Sequence, residues 1–80
     1  MIKIVFEKEN RRSVALDDNL EIGECNFIEI EDVWNINHTE VSDLYRGQGI
    51  AKKLVETIIE NSKLYNKKII AECSYAKRML

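Results

Sequence analysis

The sequence predicts an α+β domain in which antiparallel strands come first and a strand–helix–strand unit follows. Three observations support this prediction. Residues 2–41 alternate apolar and polar side chains in runs that short polar turns separate, which is typical of strands. Residues 49–65 repeat apolar side chains every four positions, the period of a helix. A fifth alternating run covers 67–74, and a crossover of this length joins parallel neighbours, so the sheet should be mixed with the helix on one face.

The composition fits one small domain spanning residues 1–80. Apolar residues make up 45% of the chain and charged residues 32%, a normal globular mixture. The N-terminus, Met1-Ile2-Lys3-Ile4, lacks the apolar core of a signal peptide, and no apolar run reaches membrane-spanning length. We therefore expect a cytoplasmic location and no membrane partner. The formal charge of −2 is not that of a typical nucleic-acid binder, so no nucleic-acid partner is expected.

Cysteine and histidine usage favours neither a disulfide nor a metal site. Cys25 and Cys73 are distant in sequence and form no Cys-x-x-Cys unit, so both are expected to be free thiols. A zinc site needs about four ligands, and only His38 could join the two cysteines. We therefore expect no metal.

The first two strands are short. Ile2, Ile4 and Phe6 give the first strand one apolar face. Residues 9–12 read as a turn, and Val14 begins the second strand. The next turn is expected at 17–19, where short polar side chains can bond to their own backbone.

The third strand is predicted over Leu20–Glu31, with an irregularity in its middle. Its apolar phase slips near residues 26–28, which indicates either a bulge or a strand that is apolar on both faces. A turn at Glu31-Asp32 follows.

The fourth strand is predicted over Val33–Val41. Simple alternation places Trp34, Ile36 and His38 on one face, and Thr39 with Val41 on the other. Trp34 is expected to be in the core.

The long helix is the most regular element of the chain. Two rows of side chains at four-residue spacing form one apolar stripe: Ile50, Leu54 and Ile58, and Ala51, Val55 and Ile59. Asn66 is expected in a left-handed conformation at its C-terminal end, before a strand over 67–74. Residues 75–80 should form a short helix or tail.

A glycine-rich turn, residues 46–51, opens this helix and is the strongest functional signal. Glycines let the backbone approach a ligand closely, and the first N–H groups of a helix have no partner within it, so such a turn can hold a phosphate. Lys52 and Lys53 lie in the first helical turn, and no acid occurs between Asp43 and Glu56. Cations at a positive helix end make sense if an anion binds there. The alternative is a glycine turn with solvated lysines.

Two common phosphate-binding motifs do not fit. The turn lacks the four-residue spacing and the Gly-Lys-Ser/Thr triplet of a Walker A loop. A dinucleotide fingerprint would need a third glycine where the chain has Lys52.

The turn does resemble the pyrophosphate signature of the acetyl-coenzyme-A-dependent N-acetyltransferases (the GNAT superfamily), Arg/Gln-x-x-Gly-x-Gly/Ala. Arg46, Gly49 and Ala51 occupy its three fixed places. The strand segment 38–41, His-Thr-Glu-Val, and the segment 73–75, Cys-Ser-Tyr, resemble the small single-domain YjdJ-type branch of that superfamily. The resemblance covers about half of the chain, from residue 37 to residue 75.

The resemblance implies a GNAT-like fold that binds acetyl-CoA as co-substrate. Pantetheine would lie in a gap between the fourth and last strands and pair with the backbone near Val41. The residues implied in binding the pyrophosphate are Arg46, Gly47, Gln48, Gly49, Ile50, Ala51 and Lys52. The chain lacks the helices that usually follow the first strand and help to form the acceptor pocket, and it has Ala71 where the small branch often has Pro.

Three side chains are candidate catalytic residues. Cys73 could take the acetyl group covalently, although a buried cysteine is often only core and most relatives transfer directly. Tyr75 could protonate the coenzyme A thiolate, or simply pack. His38 could act as a base, although its predicted face favours a hydrogen-bonded core histidine. Glu40 could accept a proton through water or be a solvated strand acid. Cys25 has no evident partner and reads as core.

The leading functional hypothesis is an N-acetyltransferase that acts on an unidentified small-molecule or protein amine. A non-catalytic acyl-CoA-binding or sensing module is the alternative, and an interaction domain without a ligand is a third. The exposed edges of so small a sheet also make a homodimer conceivable.

Overall fold

The fold is a five-stranded sheet with one long helix across one face, in a computed structural model that describes residues 1–80. The elements are β1 (Ile2–Glu7), β2 (Arg12–Asp17), β3 (Leu20–Ile30), β4 (Val33–Val41), a 3-10 turn (Asp43–Tyr45), α1 (Ile50–Leu64), β5 (Lys68–Ala71) and α2 (Ser74–Lys77). The sheet order is β1-β2-β3-β4-β5. The first three pairs are antiparallel and β4 pairs with β5 in parallel, so the predicted α+β class and mixed sheet are confirmed.

Tight turns join the first four strands. Asp18 and Glu31 take left-handed conformations, with φ of 55° and 53°, in the hairpins predicted at those positions. The first turn lies one residue earlier than predicted, at 8–11, because Arg12 pairs with Glu7 across the hairpin and belongs to β2. The Arg12 Nε also donates to the Glu7 carboxylate at 2.7 Å.

The core lies between α1 and the inner face of the sheet. The helix buries Ile50, Leu54, Val55 and Ile58, as its period predicts. Trp34 is fully buried, as expected, and stacks on Phe27 with ring centroids 4.3 Å apart. Burial of each large side chain contributes about 1.5–3 kcal/mol before entropy is subtracted, so this single layer supplies most of the driving force for folding.

One buried polar contact joins the helix to the sheet. The Ser13 hydroxyl donates to the Leu54 carbonyl at 2.8 Å, and Ser13 is fully buried. A buried hydroxyl needs a partner to offset its desolvation, and this bond supplies one.

A bulge in β4 changes which side chains face the core. Asn26 pairs with His38 and Phe27 pairs with Ile36, so Asn37 is an extra residue without a partner in β3. The phase of β4 therefore inverts at Asn37. The predicted shared face of Trp34, Ile36 and His38 is wrong: Thr39 and Val41 turn toward the inner side, and His38 points away from it.

The slip predicted in β3 has a related explanation. The register does shift at Asn26/Phe27, but the inserted residue belongs to β4. The later apolar residues of β3, Ile28 and Ile30, are exposed on the outer face, 42% and 66% respectively. A second bulge, which the pattern did not indicate, inserts Ile22 between the pairs Leu16–Glu21 and Ala15–Gly23.

The last strand is shorter than predicted. It ends at Ala71 because the backbone N–H groups of Glu72 and Cys73 both donate to the Ile36 carbonyl, at 2.9 and 3.1 Å. Cys73 therefore lies beyond the strand, and α2 begins at Ser74. The second half of β4 has no partner in β5, which leaves a gap between the two strands.

The outer face of the sheet carries no helix. Arg12 lies there and forms ion pairs with Glu7, Glu21 and Glu24 at 2.7–3.1 Å. Ile28, Ile30 and Ile70 are exposed on the same face. Neither helix has the length and apolar character that crossing a bilayer requires.

Candidate functional site

A cleft of about 470 Å³ opens where β4 and β5 separate. Its walls come from the second half of β4, the glycine turn and the start of α2. Six of the eight predicted coenzyme-binding residues line it: Val41, Arg46, Gly47, Gly49, Ile50 and Ala51. Gln48 and Lys52 lie outside the lining. Two predicted catalytic residues, His38 and Tyr75, also line the cleft, whereas Cys73 reaches it through a contact with Thr39.

The glycine turn has the backbone that an anion site requires. Gly47 and Gly49 have φ of 81° and 74°, which side chains with a β-carbon rarely adopt. Gly49 is the residue before α1, and the first helical hydrogen bond runs from Lys53 to its carbonyl at 3.2 Å. The N–H groups of residues 50–52 thus precede that bond, no acid or side-chain cap occupies the helix start, and a pyrophosphate could accept from them.

The space above the turn is open. A β-carbon built on Gly47 or Gly49 would meet no protein atom within 4 Å. These glycines are therefore required by backbone conformation and leave a surface that a ligand can approach.

The Arg46 guanidinium stands at the rim of this turn. It contacts the Asp43 carboxylate at 2.9 Å, and both side chains are mostly exposed. Because exposed ion pairs contribute little, Arg46 can exchange this partner for a bidentate phosphate contact.

Tyr45 ties the segment before the turn to the sheet. Its hydroxyl donates to the Asp17 carboxylate at 2.5 Å. This hydrogen bond is the largest influence that lowers the pKa of Asp17, with the chain's terminal amine adding to it. The same bond raises the pKa of Tyr45.

Two cysteines flank Thr39 at the inner end of the cleft. The Thr39 hydroxyl donates to Cys25 Sγ at 3.4 Å, and Cys73 Sγ donates to Thr39 Oγ1 at 3.5 Å. Burial raises the pKa of Cys25 to about 11, against the opposing effect of the Thr39 contact. Burial also raises the pKa of Cys73, but hydrogen bonds from Thr39 and from the backbone at Ala76 and Tyr75 outweigh it, so that pKa is lowered. The expectation that Cys25 is a core residue without a partner is wrong in its second part.

His38 is on the cleft wall and not in the core. Half of its side chain is exposed, and its Nε2 lies 3.5 Å from Glu40 Oε1. The expected core histidine is therefore wrong, because the bulge at Asn37 turns this side chain outward.

Comparison with known proteins identifies the family. A family model described as GCN5-related N-acetyl-transferase matches residues 11–80. The chain belongs to the GCN5-related N-acetyltransferase family. No protein of the curated collection matches it.

Solved structures agree with this assignment. A GCN5-like protein from Staphylococcus aureus is 35% identical with a TM-score of 0.71, and the match covers 96% of this chain and 76% of that one. A ribosomal-protein-alanine N-acetyltransferase from Brucella melitensis biovar Abortus is 18% identical with a TM-score of 0.71, over 86% and 56% of the two chains. An N-acetylglutamate synthase from Neisseria gonorrhoeae, complexed with coenzyme A and N-acetyl-glutamate, is 16% identical with a TM-score of 0.69, over 85% and 19%. At these lower identities the likeness shows the fold.

This GCN5-related N-acetyltransferase chain contains only part of the length of its larger relatives. It spans about three quarters of the S. aureus protein but 56% and 19% of the other two. In this chain a four-residue turn joins β1 directly to β2. No helix of this chain therefore lies between those strands to form an acceptor wall.

Sequence reasoning missed two residues of this cleft. Thr39 and Tyr45 line the cleft but were not among the predicted site residues. The orientation of Thr39 could not be predicted because it depends on the bulge at Asn37, and no local pattern marks Asn37 as the inserted residue. The partner of Tyr45 is 28 positions away. A signal that could have found Thr39 is its place in the His-Thr-Glu-Val segment beside a cysteine-bearing strand.

Proposed function

We propose that this chain takes an acetyl group from acetyl-CoA through Cys73 and transfers it to an amine. One observation carries the proposal: a single cleft has an open glycine turn at the start of α1 and, on its opposite wall, Thr39, which Cys73 contacts from behind and whose hydroxyl helps to lower the pKa of Cys73. The coenzyme A bound to the N. gonorrhoeae synthase supports the choice of donor. The 35% identity to the S. aureus protein supports the reaction class.

The turn would hold the donor. The N–H groups of residues 50–52 and the Arg46 guanidinium would bind the pyrophosphate of coenzyme A. The edge of β4 that faces away from β3 has no strand partner beyond Ile36, and near Val41 it would pair with the pantetheine arm. This arrangement aims the thioester toward Thr39 and Cys73.

The first half-reaction forms an acetyl-cysteine. The Cys73 thiolate attacks the thioester carbonyl, and a backbone N–H near Val41 stabilises the oxyanion. The bond from the carbonyl carbon to coenzyme A sulfur then breaks as the bond to Cys73 sulfur remains. Tyr75, which is partly exposed on the cleft wall, donates a proton to the departing thiolate.

The second half-reaction releases the product. A neutral amine attacks the acetyl-cysteine carbonyl, the carbon–sulfur bond breaks, and Cys73 leaves as a thiolate. The proton of the amine passes to His38, beside Glu40, or to water, and solvent returns a proton to Tyr75, which closes the cycle. The exposure of this wall fits either a small-molecule amine or an amine on a protein.

A second candidate function is an acyl-CoA-binding module without turnover. The observation that favours it is the missing acceptor wall, because a four-residue turn directly joins β1 to β2. Such a module would keep the donor site and bind no amine.

The deciding experiment is calorimetric titration with acetyl-CoA followed by intact mass spectrometry. An acetyl-enzyme appears as an adduct of about 42 Da, which Cys73→Ala should abolish while acetyl-CoA binding persists. Cys25→Ala is the matched control and should keep the adduct, since Cys25 is fully buried.

The other results separate the alternatives. Binding without an adduct, followed by turnover on a panel of amines, would replace the covalent route with direct transfer. Binding with neither adduct nor turnover would favour the binding module. Failure to bind acetyl-CoA would contradict both the acetyltransferase and the binding module.

A further inference from the structure

We propose that Thr39 is a positioning residue that holds the Cys73 sulfur through a hydrogen-bond chain running from Cys25 to Thr39 to Cys73. As a statement about the nucleophile, this inference rests on the proposed function. The chain consists of two contacts, 3.4 Å from Thr39 Oγ1 to Cys25 Sγ and 3.5 Å from Cys73 Sγ to Thr39 Oγ1. It assigns a role to Cys25, a buried thiol that the acetyl transfer itself does not use.

The bulge at Asn37 makes the chain geometrically possible. Cys25 and Thr39 are directly paired across β3 and β4, so their side chains share the inner face. Cys73 follows β5 and approaches from the other side of the gap. If Asn37 paired with Asn26 in a regular ladder instead of bulging, His38 would lie opposite Cys25, and Thr39 would turn to the outer face and leave both sulfurs without this partner.

Proton counting gives the chain a direction. A threonine hydroxyl has one proton and can donate to only one sulfur at a time, whereas its oxygen can accept from the other. With both thiols protonated, Cys73 donates to Thr39 and Thr39 donates to Cys25, as the structure shows. When Cys73 loses its proton it can only accept, so Thr39 turns its proton to the Cys73 thiolate and accepts from the Cys25 thiol.

Cys25 is suited to remain the donor. It is fully buried, and burial raises its pKa to about 11, so it stays protonated at neutral pH. Cys73 is partly exposed and its pKa is lowered, with Thr39 foremost among the groups that oppose the effect of burial. Thus the two cysteines differ in environment as the two ends of such a chain must.

The test measures how alkylation of Cys73 by iodoacetamide depends on pH. Trypsin separates the cysteines, since Cys73 falls in peptide 69–77 and Cys25 in peptide 13–46. Thr39→Val keeps the shape and the strand preference but removes the hydroxyl. Its alkylation profile should move to higher pH, and its rate at pH 7 should fall by roughly tenfold, the effect of losing one charge-assisted hydrogen bond.

Conservative variants control for packing. Thr39→Ser keeps the hydroxyl and should restore the wild-type profile. Cys25→Ala removes the far donor and should move the Cys73 profile in the same direction but less far, and Cys25→Ser should reverse that movement. If Thr39→Val does not fold by circular dichroism, the two Cys25 variants decide the question.

Three results would overturn the proposal: an unchanged profile in folded Thr39→Val, a shift in Thr39→Val that Thr39→Ser also shows, or an unchanged profile in Cys25→Ala. Alkylation needs no coenzyme, so its outcome is independent of transferase activity. If the Thr39→Val profile shifts but the wild-type protein forms no acetyl adduct, the hydrogen-bond chain is supported and acetyl transfer through Cys73 is contradicted. If the wild-type protein forms the adduct but the variant profiles do not shift, acetyl transfer is supported and the hydrogen-bond chain is contradicted.

Discussion

At the scale of single residues, one hydrogen bond that takes no part in the proposed reaction ties the segment before the glycine turn to the sheet. Tyr45 precedes Arg46 directly and donates to Asp17 at the end of β2. The contact joins a segment with no buried residue of its own to the C-terminal end of an interior strand. Loss of this bond should loosen the turn without touching any group that would bind the coenzyme phosphates.

Tyr45→Phe should therefore lower stability in a pH-dependent way. The folded-state pKa of Asp17 is lowered, so its contribution is present above its ordinary pKa near 3.8 and is lost as pH falls through the folded value. The raised pKa of Tyr45 makes the contribution disappear again in strong alkali. Urea unfolding at several pH values should show a wild-type advantage at pH 7 that vanishes in acid. An advantage that persists unchanged in acid would contradict this account.

Local spacing carries part of the residue-level information. Arg46, Gly49 and Ala51 were selected by their intervals, and six of the eight predicted coenzyme-binding residues line one cleft, while their contact with coenzyme A stays a prediction. His38 and Thr39 were assigned to the wrong faces, because strand alternation assumes that no residue is inserted. Asn37 is an ordinary polar residue in an alternating run, and only its pairing with β3 identifies the bulge.

At the scale of elements, boundaries that local residues mark were predictable, and boundaries that depend on distant contacts were not. The bounds of β4 and α1 were predicted closely, since turn residues and a glycine mark them in the sequence. The end of β5 was missed because it depends on the Ile36 carbonyl, which accepts from both Glu72 and Cys73. A nonlocal hydrogen bond of this kind leaves no trace in the periodicity of residues 67–74.

Gly49→Val tests the turn as an element. A β-branched residue at φ of 74° should cost about 1–2 kcal/mol of stability and should weaken acetyl-CoA binding at least about tenfold, because the shifted N–H groups lose charge-assisted contacts. Asn66→Val is the matched control: Asn66 also has a positive φ, 56°, but lies at the far end of α1. It should lose stability and retain affinity. If folded Gly49→Val binds acetyl-CoA as tightly as the wild-type protein, the proposed phosphate position is wrong.

At the scale of the whole molecule, one helix covers one face of the sheet and supplies its core. Leu54 is fully buried at the centre of that contact, and its carbonyl accepts from Ser13. The opposite face carries no helix, and apart from Val14 its side chains are half-buried or exposed. Stability is therefore concentrated in few side chains.

Leu54→Ala should lower the free energy of unfolding by about 2–5 kcal/mol, a large fraction of what so small a domain possesses. Leu64→Ala, in the last turn of the same helix, should change it by less than about 0.5 kcal/mol, since that side chain is 77% exposed. Urea denaturation of both variants measures the difference. Similar losses in the two variants would mean that the helix contributes through its propensity and not through burial.

The extra residue at Asn37 also governs how this sequence can change in length. Because Asn37 has no partner in β3, its removal would bring the pairs Phe27–Ile36 and Asn26–His38 next to each other and leave the later side chains of β4 on their present faces. The removal of a paired residue such as Asn35 would instead turn Trp34 from the core to the outer face. A single-codon deletion in this strand is therefore tolerable at the bulge and harmful at the paired positions before it.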